Sequence, residues 1–194
     1  MFMNIWNAMG PCVNEAQKVH MSHRLVKDGI VAVLVEVDEM TAGVTASEAG
    51  EMVFAEFTST LLDAATATGI LEDIYTEEQA IKGCGVILLH DGQIIVATAG
   101  DCVSYEARGS ALTRLCDDDA STVEAVAIPG NLESRTAYLL TSKGFEDRVR
   151  PMEITIDYCK SKEPKQWVDY IMLRAAKRHK DSDRNYAVFA IMAE

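Results

Sequence analysis

Residues 30–37, IVAVLVEV, form a continuous apolar, β-branched run bounded by Gly29 and by Asp38-Glu39. That pattern predicts a strand buried on both faces. A longer pattern fills 94–115. Ile94, Val96 and Thr98 alternate with Ile95 and Ala97, and Gly100-Asp101 interrupts. Val103 and Tyr105 resume, Arg108-Gly109 turns, and Leu112 and Leu115 continue. It predicts a meander of three strands joined by tight turns, around which the chain is organised. Further strands are predicted over 83–89, 124–128, 137–141 and 186–192. Turns fall at 90–93 and 129–131, and 153–158 reads as a short strand or a helix start.

Helical spacing is confined to three stretches. Ser47 is placed to cap a helix running to about Thr66, with Met52, Phe54, Ala55, Phe57, Leu61 and Leu62 as its apolar stripe. Gly69 breaks that pattern, and 72–81 reads as a short helix. The clearest helix is 165–179, where Trp167, Val168, Ile171, Met172, Ala175 and Ala176 share a face behind Pro164. Residues 1–10 read as an edge strand or a docking arm carrying Phe2, Ile5 and Trp6, and 13–21 fits no period. Strands in runs with helices between them indicate α+β with antiparallel sheets. The expectation is one domain over 1–194.

Thirty acidic against eighteen basic residues give a net charge of −12. Nucleic acid and anionic membranes would be repelled. No stretch approaches the roughly 20 apolar residues of a membrane span. With no secretory leader, the expected setting is intracellular and cytoplasmic. Cys12, Cys84, Cys102, Cys116 and Cys159 are scattered, without a C-x-x-C, and read as reduced thiols rather than zinc ligands. Cys102 has no nearby histidine to activate it. His20, His23, His90 and His179 are isolated and read as surface residues, and Asp117 to Asp119 as a solvated loop.

Polar residues gather where strands end: Asp38, Asp101, Lys143, and Asp183 with Arg184. Converging carboxylates at strand ends suit hard cations, although polar residues terminate strands in most proteins.

The order of short motifs resembles the metal-dependent (type 2C) serine/threonine protein phosphatases over nearly the whole chain. Val13-Asn14-Glu15-Ala16 resembles the family's N-E-D, and Val37-Asp38-Glu39-Met40-Thr41-Ala42-Gly43 its D-G-x-G-G. Gly83-Cys84-Gly85 resembles its G-S/T-T, and Ala99-Gly100-Asp101-Cys102-Val103 its V-G-D-S. Thr141-Ser142-Lys143-Gly144-Phe145-Glu146-Asp147 resembles S-D-G-x-x-D, and Arg184-Asn185-Tyr186-Ala187-Val188 resembles D-N and the final strand. The resemblance implies two packed antiparallel β-sheets flanked by helices, an α-β-β-α four-layer sandwich. In the family a two-metal centre is held by the D-G aspartate, the following glycine's carbonyl, and the S-D-G and D-N aspartates.

Of these positions only Asp38 keeps its carboxylate. Glu39 stands for the glycine, Lys143 and Arg184 for two aspartates, and Ala16 for the aspartate of N-E-D. A one-residue slip would bring in Asp183, and Asp101 and Asp147 are the supporting carboxylates. Exchanging two carboxylates for two cations shifts the local charge by four units, so divalent ions are not expected beside Lys143 and Arg184. The expectation is that both cations pair with Asp38, helped by Glu39 or Asp183, as a buried plug. The implied function is a catalytically inactive phosphatase-like domain that binds protein partners as a scaffold or structural subunit, with no cofactor. The alternative is a divergent manganese- or magnesium-dependent serine/threonine phosphatase.

Overall fold

The computed structural model describes residues 3–10, 17–26, 29–39, 43–59, 63–90, 93–116, 123–128, 136–178 and 184–193. In order, the elements are β1 (Met3–Gly10), β2 (Gln17–Val26), β3 (Gly29–Asp38), α1 (Ala46–Ser59), α2 (Ala64–Glu77), β4 (Ile81–His90), β5 (Gln93–Gly100), β6 (Cys102–Arg108) and β7 (Ala111–Arg114). Then come β8 (Val123–Ile128), β9 (Thr136–Ser142), the single turn α3 (Lys143–Glu146), α4 (Pro151–Lys160), α5 (Pro164–Lys177) and β10 (Tyr186–Ala193).

The strands form two five-stranded sheets, β1-β10-β9-β6-β7 and β2-β3-β4-β5-β8. Their pairings are antiparallel throughout. Period-two alternation divides the core into three layers. On β3, Val31, Val33, Val35 and Val37 face α1 and α2. Ala32 and Leu34 point the other way, into the layer between the sheets, where Tyr138, Leu140 and Phe189 meet them. The outer face of the β9–β10 sheet packs on α4 and α5 through Phe145, Ile154, Trp167 and Ile171. Trp167 is fully buried, and its indole N–H donates to the Ile154 carbonyl at 3.1 Å. The four-layer sandwich expected from the motif order is the fold observed.

Several expectations change in detail. The first helix ends at Ser59, and a second starts at Ala64 behind the N-cap Asp63, whose carboxylate accepts from Thr66 N–H at 2.7 Å. That second helix runs through Gly69 and absorbs much of the predicted 72–81 helix. A methyl group on Gly69 would meet nothing within 4 Å, so this glycine marks an open surface rather than a break. Thr45, not Ser47, caps α1. Its hydroxyl accepts from Glu48 N–H at 3.2 Å, and Glu48 returns the contact to Thr45 N–H at 2.9 Å, a capping box. Met52 and Ala55, expected on the apolar stripe, face outward. Leu61, Leu62, Phe2, Cys12, His179, the N-E-D-like segment, Asp117–Asp119 and Asp183 lie outside the described residues.

Of the stretch without a period, residues 17–21 belong to the edge strand β2, and 153–158 belongs to helix α4. Residues 3–10 are an edge strand rather than an arm, paired with β10 from Met3↔Ala193 to Gly10↔Tyr186. His20 is half-buried: its ring bonds Ser22 Oγ at 2.7 Å and lies where a methyl group on Gly50 would sit. No described helix is long and apolar enough to cross a membrane.

The largest correction concerns Gly100-Asp101. It is not a hairpin turn but the crossing from one sheet to the other, since β5 and β6 belong to different sheets. Gly100 takes φ +59°, and its missing Cβ leaves room for the Lys82 carbonyl. Lys82 is itself the extra residue of a bulge, for Glu36 opposes Gly83 while Val37 opposes Ile81. Its carbonyl, turned out of the ladder, accepts from Asp101 N–H at 2.8 Å.

Candidate functional site: the end of the two sheets

Asp101 stitches the sheets together. Its N–H reaches Lys82 on one sheet, and its carbonyl accepts from Lys143 N–H at 2.8 Å at the end of the other. Gly83 permits this approach, because a Cβ there would lie 2.8 Å from the Asp101 backbone. The side chain of Asp101 is thereby aimed at the segment entering β10, where Arg184 Nη1 donates to Asp101 Oδ2 at 3.1 Å.

The segment carrying Arg184 is held from two sides. Ser142 Oγ donates to the Asn185 carbonyl at 3.2 Å and accepts from Ala187 N–H at 2.9 Å. Arg148, only 2% exposed, donates to the carbonyls of Gly144 and, at 3.0 Å, of Arg184. Its guanidinium also stacks over Tyr186, 4.5 Å from the ring centroid. The S-K-G and R-N segments, distant in sequence, are locked side by side.

The expected site residues fall as follows. Asp38 closes β3, half-buried, with its N–H on the Ala80 carbonyl at 2.8 Å. Glu39 turns toward α1, where its Oε1 accepts from Ala46 N–H at 3.3 Å, so its carboxylate serves the positive end of that helix. Lys143 opens α3, and its ammonium makes no ion pair among the described residues, contrary to the expected bridge to Asp38. Asp147 caps α3 at its C-terminal end and is exposed. Arg184 pairs with Asp101, a residue expected only to support. The Arg184 and Asp101 side chains remain 39% and 24% exposed, so this pair is not a buried plug.

The residue that sequence reasoning missed is Glu36. Strand alternation places it on the inner face with Ala32 and Leu34, and it is 1% exposed. Among the described residues neither of its carboxylate oxygens has a hydrogen-bond partner. Burial pushes its pKa up to about 7, the Asp101 charge adds to this, and Arg184 opposes it. The signal was an acid at an inward position of a buried strand. Arg148 was missed as well, because nothing local distinguishes a buried arginine from an exposed one. Burial pushes the Cys84 thiol up to about 12 and raises Cys102 far above its ordinary value, which disfavours the thiolate at both.

Solved structures resemble this architecture from end to end. A bacterial serine phosphatase variant superposes with a TM-score of 0.76 at 16% identity, covering 100% of this chain and 99% of that one. PppA, a key regulatory component of T6SS in Pseudomonas aeruginosa, gives 0.71 at 13% identity, covering 100% and 99%. The Mycobacterium tuberculosis serine/threonine phosphatase PstP gives 0.70 at 14% identity, covering 99% of each chain. The chain has the type 2C phosphatase fold. No protein-family model and no curated protein sequence matches it.

Within this fold the strand-end cleft would carry the two divalent ions implied by the motif resemblance. The donors among the described residues do not fit that pair. Among the described residues no three His, Cys, Asp or Glu side chains converge to hold an ion. Asp101 is engaged by a guanidinium, and cations stand at Lys143 and Arg184.

Proposed function

We propose that this chain is a type 2C phosphatase-fold protein that does not hydrolyse phosphoesters and acts through protein partners, as a scaffold or regulatory subunit. The observation that carries the reading is the Arg184–Asp101 pair, which puts a fixed positive charge at the cleft. Two divalent ions activate water and clamp a phosphoryl group only where carboxylates offset their charge. A guanidinium already answers Asp101, and a second cation stands at Lys143. The regulatory character stated for the similarly folded PppA agrees with a role exercised through partners.

A second reading, a divergent metal-dependent serine/threonine phosphatase, is favoured by Glu36. A buried carboxylate without a hydrogen-bond partner is costly, and a single cation bound nearby would offset that cost. Hydrolysis of p-nitrophenyl phosphate with manganese separates the two. No turnover above the buffer rate supports the first reading. Turnover lost in Glu36→Gln or Asp38→Ala supports the second.

A further inference from the structure

No further inference is drawn: the strongest candidate, the buried carboxylate of Glu36 near the end of β3, which has no hydrogen-bond partner among the described residues, belongs to the strand-end cleft already described.

Discussion

Arg184 crosses the open end of the two sheets to donate to Asp101 at 3.1 Å. The partner is set by the backbone: Asp101 is pinned to Lys82 on one sheet and to Lys143 on the other, and Ser142 and Arg148 fix the approach of Arg184. A partly exposed ion pair contributes little, up to about 1 kcal/mol. Arg184→Ala should therefore lower stability by no more than about that amount in urea unfolding. It should also raise the Glu36 titration, because Arg184 is the charge that lowers it. An unmoved carboxyl resonance titration would contradict this.

Glu36 makes stability depend on pH. Unfolded, its carboxyl titrates near 4.5, and folded at about 7. The folded chain holds this proton more tightly, so the contribution is complete below about 4.5 and is lost as pH rises through about 7. The shift corresponds to about 3 kcal/mol. Glu36→Gln should gain on wild type by that order between about pH 5 and pH 8 in denaturant melts. Parallel stability curves for the two proteins would show that Glu36 carries no such penalty.

Arg148 is buried with two backbone carbonyls as its acceptors. Arg148→Ala should cost about 3 kcal/mol, because it strands both carbonyls and uncovers Tyr186. Arg148→Lys should recover little, since an ammonium cannot reproduce the planar fork. Full recovery by lysine would mean that charge alone matters there.

At the start of α1, Thr45→Ala should cost about 1 kcal/mol and Ser47→Ala within about 0.5 kcal/mol. Equal losses by chemical unfolding would contradict the assigned cap.

What the sequence disclosed follows from what is local. The β3 run, the Trp167 face and the order of strand-end motifs are written in neighbouring residues, and they led to the four-layer architecture. The break between α1 and α2 was hidden, because Leu61 and Leu62 continue the helical spacing past Ser59. The Gly100-Asp101 crossing read as a hairpin because a turn within a sheet and a step between sheets use the same residues. Asp38, Asp101, Lys143 and Arg184 were found as strand-end residues. Which of them meet across the gap depends on the Lys82 bulge and the Arg148 clamp, and no spacing reports either.

On the proposed reading, charge at Lys143 and Arg184 sets this cleft against metal. Lys143→Asp with Arg184→Asp should create manganese-dependent thermal stabilisation absent from wild type. A hundredfold excess of ligand over Kd would give about 2.7 kcal/mol. A double variant that folds and ignores manganese would show that backbone geometry, not charge, closes the site.

The most direct measurement is calorimetric titration of the purified chain with manganese and magnesium, with a thermal melt alongside. No heat and no stabilisation at millimolar metal is the expected result. Micromolar binding, abolished by Asp38→Ala, would contradict the metal-free cleft and return the chain to the metal-dependent phosphatases.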